Sequence, residues 1–305
     1  MTGQTRHFTL LDYLVAIGMN ILWGLNIIAM KVTVGATGPF MAGAIRFIAV
    51  TAICLPWLRP IPGKTRMLVL LGLFNGGLFV IFMNLALHVA DNVGALAIAG
   101  QLSAPIAVVM GVVILRERIS LARVGGLVLA FGGVAMLVFD PRIADEIPGM
   151  LLMVAAATCW ASSTLLQRHL AGVHVLTMYG WTGLMGLCTL LPLSLVLEPE
   201  ALHRSLHMSL ATAAWFAFSI FGSTLMGQGG LAWLLSRHPL TSVMPMTLLA
   251  TVVSVIASHL FFGTIITPIM AVGGLIALGG VVLVTMLAPR PLPPIEVEVG
   301  LEATP

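Results

Sequence analysis

Trp23-Gly24-Leu25-Asn26, followed by Lys31, decides the organisation of this chain, because a similar stretch occurs again in its second half. The second copy is Trp160-Ala161-Ser162-Ser163, followed by Arg168, with the same interval between tryptophan and base. The two tryptophans are 137 residues apart. Each half then closes with a glycine-rich apolar segment, Gly125 to Gly133 in the first and Gly273 to Gly280 in the second. The sequence therefore predicts two copies of one structural unit.

The composition predicts an integral membrane protein. Of the 305 residues, 59% are hydrophobic and 8% are charged, and the mean hydropathy is +1.08. A soluble domain carries about 25% charged residues, so this chain cannot cover a water-facing surface and lipid must be its solvent. The net charge of +3 does not indicate a nucleic-acid partner, because the basic residues lie in short loops between apolar runs.

Ten segments are apolar and long enough to cross a bilayer, which takes ~20 residues each. Because each half contains an odd number of spans, the second copy should lie upside down relative to the first. We therefore predict an all-α integral membrane fold of ten transmembrane helices, arranged as two inverted five-helix repeats. The predicted segments are 12–34, 39–57, 67–89, 92–114, 121–139, 148–168, 173–197, 208–236, 240–262 and 267–287.

The distribution of Lys and Arg predicts the orientation. If the N-terminus is cytoplasmic, the inner side receives ten basic residues and the outer side three, a strong positive-inside bias. Both termini are therefore expected in the cytoplasm, and the tail, rich in proline and then acidic, is expected to be disordered. The predicted domains are a cytoplasmic N-terminus 1–11, a first repeat 12–139, an external linker 140–147, a second repeat 148–287 and a cytoplasmic tail 288–305.

Polar and aromatic side chains within the spans are candidates for a binding site, because polar groups inside a bilayer usually face a cavity or another helix. We expect eight residues to contact a substrate, with tryptophans supplying apolar faces and amides orienting polar groups. They are Trp23, Asn26, Asn75, Phe79, Gln101, Trp160, Ser163 and Gln228. The alternative for each is helix packing, and the two tryptophans in particular could mark symmetry-related contacts.

Four further residues are predicted to have structural or gating roles. Lys31 and Arg46 fall in the outer part of the membrane, where they could either attract a carboxylate or clamp helix ends. Arg46 lies roughly 10 Å into its span at 1.5 Å per residue, and packing is the favoured role because buried cations usually need protein partners. Pro105 and Pro245 each remove a backbone donor and can kink their helices.

No metal, cofactor or disulfide is predicted. The longest connection contains Glu198, Glu200, His203 and His207, but their spacing matches no standard metal site. The three cysteines lie in apolar segments, where an isolated thiol behaves as a small hydrophobe.

Several motifs in order resemble the drug/metabolite transporter superfamily, specifically its EamA-type branch. The motifs are Trp23 to Asn26 with Lys31, Ala42-Gly43-Ala44-Ile45-Arg46-Phe47, Pro105 followed by Leu115-Arg116-Glu117-Arg118, and Leu234 to Arg237 followed by Val243-Met244-Pro245. The second half is most similar to exporters of cysteine and O-acetylserine. This resemblance implies a central cavity surrounded by the first, third, fourth, sixth, eighth and ninth helices. It also implies export or exchange of amino acids, related metabolites or drugs.

The function expected from these observations is secondary transport of a small metabolite by alternating access, as export or exchange, across the cytoplasmic membrane of a bacterium. The expected partners are a small-molecule substrate and the lipid bilayer, and monomer and homodimer both remain open. A channel-like facilitator is the main alternative. An intramembrane enzyme is disfavoured because no Ser/His/Asp order or paired-carboxylate motif occurs in the spans. Since no acidic residue lies mid-membrane, facilitated diffusion or exchange is expected rather than tight proton coupling.

Overall fold

The computed structural model describes residues 8–116, 119–170, 172–235, 237–238 and 240–286, and within these ranges it contains helices and no strands. Ten helices are long and apolar enough to span a membrane, which confirms the predicted number of spans. They are α1 Leu10–Thr37, α2 Pro39–Trp57, α3 Thr65–Val89, α4 Val93–Ile114, α5 Leu121–Val138, α6 Pro141–Gln167, α7 Val175–Leu197, α8 Leu210–Leu235, α9 Pro245–Phe262 and α10 Pro268–Met286.

The helix ends follow ordinary capping rules. Thr9 and Asp12 form a reciprocal capping box at the start of α1, and Asp12 is buried there. Gly38 separates α1 from α2 with a φ of 102°, a backbone conformation that favours glycine. A short helix, Ala201–Leu206, lies in the connection between α7 and α8. Most of the predicted N-terminal segment 1–11 and all of the predicted tail 288–305 lie outside the described residues.

Interruptions of regular α-helix occur at corresponding places in the two halves, in α3 and α8 and in α4 and α9. A π-helical segment, Leu73–Leu78, interrupts α3, and Phe218–Gly227 does the same in α8. The α4 helix is divided into Val93–Gly100 and Ser103–Leu115. In the second half a 3₁₀ segment, Met244–Leu248, precedes the regular part of α9. Segments of π-helix inside α-helices are frequent at functional sites.

The prolines account for two of these interruptions. Pro105 lies in the first turn of the second part of α4, so the distortion occurs one turn before it, at Gln101 and Leu102. The reason is that Pro105 has no N–H to donate to the carbonyl four residues earlier, and its ring crowds that carbonyl. Pro245 lies near the start of the 3₁₀ segment of α9, where a missing donor costs little.

The packing of the helices has the same pattern when the two halves are exchanged. The pairing of α1 with α9 corresponds to that of α6 with α4, and the pairing of α3 with α6 corresponds to that of α8 with α1. The α2 helix packs against its own counterpart α7, and α5 packs against α10. A two-fold relation between the halves produces this pattern. That the second half is inverted in the membrane stays a prediction.

The α5 and α10 helices cross at glycines. An alanine Cβ at Gly126 would lie 3.1 Å from the Gly280 carbonyl oxygen, and one at Gly273 would lie 2.7 Å from the Gly133 carbonyl oxygen. Small residues allow membrane helices to approach at backbone distance, where dispersion contacts stabilise the pair. The glycine-rich segments that end the two halves therefore pack against each other, away from the cavities described below.

Candidate functional site

Two adjoining cavities lie among the helices of both halves. Lobe 1, of about 510 Å³, is formed by α1, α2, α3, α6, α7 and α8. Lobe 2, of about 250 Å³, is formed by α1, α3, α4, α6 and α9. The size of lobe 1 is within the range of small-molecule sites. The two lobes share the lining residues Trp23, Asn26, Phe79, Met83 and Trp160.

Trp23 and Asn26 connect α1 to the π-helical segment of α8. The indole Nε1 of Trp23 donates to the carbonyl oxygen of Ser223 at 3.2 Å, and the Ser219 hydroxyl donates to Asn26 Oδ1 at 2.7 Å. Gly227 lets α8 approach, because an added Cβ there would lie 2.5 Å from the Trp23 Nε1. Trp23 thus donates to the irregular backbone of α8, and a side chain of α8 donates to Asn26 of α1.

Trp160 occupies the corresponding place in the second half and contacts α3. Its ring lies 5.0 Å from that of Phe79, centroid to centroid, at an interplanar angle of 54°. Phe79 directly follows the π-helical segment of α3. The two tryptophans therefore face the two π-helical segments, and together with Phe79 they form an aromatic boundary between the lobes.

Lobe 2 contains a polar bridge at the interruption of α4. Gln101 Nε2 donates to Thr251 Oγ1 of α9 at 2.5 Å. Gln101 follows the last residue of the first part of α4, so the broken helix brings its amide to the cavity wall. Its neighbours in the lobe are mainly apolar, including Leu96 and Met153.

Lobe 1 contains a guanidinium that has only weak partners. Arg46 Nη2 lies 3.5 Å from Thr224 Oγ1, and Arg46 Nη1 lies 3.9 Å from the Met30 sulfur. Its Nε is buried and has no hydrogen-bond partner, and the same holds for the Asn75 Oδ1 atom in this lobe. Two polar groups of lobe 1 therefore have unused hydrogen-bonding capacity.

Comparison with known proteins assigns the fold. A family model described as the EamA-like transporter family matches residues 10–139 and again residues 147–286. The chain belongs to this family. A probable amino-acid metabolite efflux pump of Escherichia coli is 24% identical over 277 residues, covering 88% of this chain and 93% of the relative. An uncharacterized inner membrane transporter of the same species is 29% identical over 249 residues, covering 73% of each.

A solved structure supports the fold of this EamA-like transporter. A protein known from its crystal structure superimposes with a TM-score of 0.59 at 21% identity, covering 91% of this chain and 97% of the other. The EamA-like transporter is thus a multi-pass membrane protein that moves a small-molecule substrate through a lipid bilayer, and it is a transporter rather than an enzyme. Among the described residues, no group of three or more His, Cys, Asp and Glu side chains could hold a metal ion.

The structure brings six of the eight predicted substrate residues to the cavities. Trp23, Asn26, Phe79 and Trp160 line both lobes, Asn75 lines lobe 1 and Gln101 lines lobe 2. Ser163 does not line either lobe: it is fully buried, and its hydroxyl donates to the Trp160 carbonyl oxygen of its own helix at 2.8 Å. Gln228 begins the last part of α8, but its side chain lies outside the described residues.

The walls also include two helices that the family resemblance did not imply and residues that were not predicted to contact a substrate. Arg46 of α2 and Tyr179 of α7 line lobe 1, so the set of helices implied by the family resemblance lacks these two. Tyr179 is one of only two tyrosines in the chain, and its place within a span is the signal that could have identified it. Thr224 was missed because hydropathy does not show which residues line a cavity, and its hydroxyl also donates to the Ser219 carbonyl oxygen of its own helix.

Lobe 1 extends toward one end of the bundle, where Gln167 ends α6 and Val175 begins α7. Carboxylates hold helix N-termini of the first half at the opposite end. Glu198 accepts hydrogen bonds from the backbone N–H groups of Phe40 at 3.1 Å and Met41 at 2.9 Å. Glu146 accepts from the N–H groups of Asp91 and Asn92, at 3.0 and 2.9 Å. The Glu198 contact joins the two halves, and the Glu146 contact joins the segment between the halves to the first half.

Lys31 contributes to the same end of the bundle. Its Nζ donates to the carbonyl oxygens of Leu87 at 2.8 Å and Ala90 at 2.6 Å, and it lies 3.4 Å from a carboxylate oxygen of Asp91. The Asp91 side chain is 96% exposed, so this ion pair contributes little. The main interaction of Lys31 is with the last carbonyls of α3, where a cation is favourable.

Replacing Glu198 by alanine is expected to destabilise this end of the bundle. The substitution leaves two N–H groups at the start of α2 without their acceptor, a loss of about 0.5–2 kcal/mol in other helix caps. We expect a lower midpoint of thermal unfolding of the purified protein in detergent. Glu200→Ala is the matched control, because Glu200 is exposed and lies two residues away. Equal midpoints for the two variants would contradict the capping role.

Proposed function

We propose that this EamA-like transporter exports or exchanges a small amphipathic metabolite related to amino acids by alternating access. The observation that carries the proposal is the continuity of the two lobes through Trp23, Asn26, Phe79 and Trp160, which come from both halves of the chain. The printed description of the Escherichia coli relative as an amino-acid metabolite efflux pump supports this class of substrate.

In this proposal the wall that the two lobes share contacts both the apolar and the polar parts of the substrate. The aromatic rings of Trp23, Phe79 and Trp160 pack against the apolar part, while Asn26 and Asn75 orient polar groups. The hydrogen bond from Gln101 to Thr251 holds α4 against α9 in the wall of lobe 2. Gln228 is proposed as a further contact from its position in α8. Ser163, by contrast, stabilises the turn of α6 that contains Trp160 and does not contact the substrate.

We propose that the conformation is inward-facing, in the inner membrane of a bacterium, with both termini in the cytoplasm. The orientation rests on the excess of Lys and Arg on the predicted inner side. In that orientation lobe 1 extends to the cytoplasm between α6 and α7, and the Glu146 and Glu198 contacts close the external end. Transport would then require these contacts to open while the cytoplasmic end closes. The two halves would move as inverted repeats about the shared aromatic boundary.

Exchange or facilitated diffusion is the proposed mode of energy coupling. The described lining of the two lobes contains no Asp, Glu or His side chain that could carry a proton with the substrate. Asp12 and His238 form a buried pair, with 3.2 Å between the nearest nitrogen and oxygen atoms, but neither lines a lobe. A steep rise of uptake with an imposed pH gradient, at constant substrate charge, would contradict this mode.

Counterflow in proteoliposomes tests the function. Vesicles loaded with unlabelled amino acids, O-acetylserine among them, should accelerate uptake of the labelled compound, because only a carrier shows trans-stimulation and a channel does not. Trp160→Ala should lower this uptake by about 30-fold, the typical cost of truncating an aromatic hot-spot residue. Gln101→Ala and Gln228→Ala should lower it by about threefold to tenfold, the usual range for a lost hydrogen bond.

Thr158→Ala is the matched control for the α6 variant. Thr158 lies two residues before Trp160, is exposed, and bonds only to its own helix through the Val154 carbonyl oxygen. Its uptake should equal that of the wild type at matched protein levels. Wild-type rates in Trp160→Ala and Gln101→Ala would remove these residues from the site, and uptake without trans-stimulation would favour a channel.

A further inference from the structure

We propose that Arg46 forms a carboxylate-binding subsite in lobe 1, so that the transported metabolite is recognised chiefly through a carboxylate. The proposal rests on the proposed function and specifies its substrate chemistry. The sequence alone favoured a packing role for Arg46. The contacts of the guanidinium in the folded protein point instead to an anion-binding site.

Arg46 has no strong hydrogen-bond acceptor and no carboxylate partner among the described residues. Its nearest acceptors, Thr224 Oγ1 at 3.5 Å and the Met30 sulfur at 3.9 Å, lie at the limit of hydrogen bonding. A thioether is a weak acceptor, so neither contact compensates a full positive charge. Among the described residues no carboxylate lies within ion-pair distance of Arg46, whereas Lys31 lies beside Asp91 and His238 beside Asp12.

An unpaired Arg46 charge has a high free-energy cost in this environment. A cation within a membrane protein is expensive unless a partner or water compensates it, and unpaired buried charges are rare for that reason. Lys31, the other cation in the outer part of the spans, satisfies its charge with two carbonyl oxygens. Arg46 is directed into a cavity and has no such carbonyls. Its environment is therefore that of a binding group rather than of a structural cation.

A carboxylate is the group that best fits the guanidinium of Arg46 in lobe 1. A guanidinium presents a planar fork of N–H donors that matches the two oxygens of a carboxylate. The residues Thr182 and Tyr179 line the same lobe, and their hydroxyl groups can add neutral hydrogen bonds to the anion. The Thr224 hydroxyl already donates to the Ser219 carbonyl oxygen at 3.0 Å, so it has no proton left for the anion. The described lining of lobe 1 has no acidic residue to neutralise Arg46, so the ligand must bring the negative charge.

Asn75 is the contact proposed for the amino group of the ligand. Asn75 Oδ1 is buried without a donor in lobe 1, so it can accept one N–H group of the substrate. An amide oxygen binds an ammonium more weakly than a carboxylate does, because it carries no full charge. Loss of the carboxylate should therefore weaken binding far more than loss of the amino group.

The test compares compounds that differ only in these groups. Protein amino acids, their primary amides and the corresponding deaminated acids are bound to purified full-length protein in detergent, and affinities are measured by calorimetry after a thermal-shift screen. For the best-binding amino acid we expect the acid to bind at least about 30-fold more tightly than its amide, as for a desolvated charge pair. The deaminated acid should lose less than about tenfold, as for a neutral hydrogen bond.

Arg46→Gln should abolish the discrimination, bringing acid and amide to within about threefold of each other, because the charge-assisted pair is gone. Arg46→Lys keeps the charge without the fork and should keep part of the preference for the acid. Thr224→Val removes the hydroxyl that contacts the guanidinium. If Arg46 only linked α2 to α8 through this contact, Thr224→Val and Arg46→Gln should have the same effect on binding. Lys31→Gln is the control cation and should leave the preference unchanged.

The outcomes separate this inference from the proposed function. Wild-type protein that binds amides as tightly as acids overturns the carboxylate subsite, even if counterflow is intact. So does an Arg46→Gln protein that remains folded and keeps the preference for acids, or a panel in which no carboxylate-bearing compound binds. A preference that depends on Arg46 in a protein that shows no counterflow would support the subsite and overturn the transport function.

Discussion

Gly133→Leu is expected to prevent folding of the ten-helix bundle, whereas Gly132→Leu, one residue earlier, is expected to leave it intact. A Cβ added at Gly133 would lie 2.5 Å from the Gly273 carbonyl oxygen and 2.8 Å from the Ala277 Cα atom. Those are backbone atoms of α10, so they can move only if the two helices separate. Overpacking costs typically about 1–3 kcal/mol even where side chains can adjust, and a leucine here exceeds that case.

Gly132 provides the control because an added Cβ there meets nothing within 4 Å and the residue is exposed on the lipid-facing side. The pair Gly280 and Gly279 repeats the contrast on α10, since a Cβ at Gly280 would lie 2.6 Å from the Gly126 carbonyl oxygen and one at Gly279 meets nothing. Size-exclusion profiles and unfolding midpoints in detergent report the result. Similar behaviour within each adjacent pair would contradict the crossing of α5 and α10 at these residues.

The number of spans could be predicted because bilayer thickness and hydropathy together determine it. Their limits were predicted less evenly, since 148–168 begins seven residues after the start of α6 and 240–262 begins five residues before that of α9. The predicted segment 39–57 has the same limits as α2, and 121–139 ends one residue beyond α5. The repeat was visible for a similar reason, since Trp23 and Trp160 occupy matching places against the π-helical segments of the opposite half. These features follow from local composition and spacing.

The polar chemistry of the site was less predictable, because it depends on which side chains remain without partners after packing. Ser163 and Asn26 are both small polar residues one turn after a tryptophan, yet Ser163 bonds to its own helix and Asn26 faces both lobes. Arg46 could be placed in depth but not in direction. Its facing into lobe 1 results from the packing of α2 against α7, which no local pattern encodes.

The contacts of the carboxylates at the closed end could not be predicted from local sequence either. Glu146 and Glu198 were expected to lie outside the membrane, and their position in sequence suggested only exposed loops. In the fold each accepts two backbone N–H groups from a helix N-terminus of the first half. Helix N-termini favour carboxylates, but the acceptor comes from more than 50 residues away in sequence, so its identity depends on tertiary structure.

Accessibility labelling should show that equivalent connections of the two halves lie on opposite sides of the membrane. Single cysteines would replace Gly35, Arg59, His174 and Arg204 in a background lacking Cys54, Cys159 and Cys188. All four positions are exposed. We expect an impermeant thiol reagent to label the Gly35 and Arg204 positions in intact spheroplasts, and the Arg59 and His174 positions only after permeabilisation, an all-or-none difference.

The pairs are chosen so that inversion is tested separately from orientation. Gly35 and His174 precede the second helix of their halves, and Arg59 and Arg204 follow it. Reversal of all four sites would keep the inverted repeat but overturn the cytoplasmic placement of the termini, and with it the inward-facing assignment of lobe 1. Labelling of Gly35 and His174 from the same side would overturn the inversion itself. The two halves could not then exchange roles across the membrane, and alternating access about Trp23 and Trp160 would lose its structural basis.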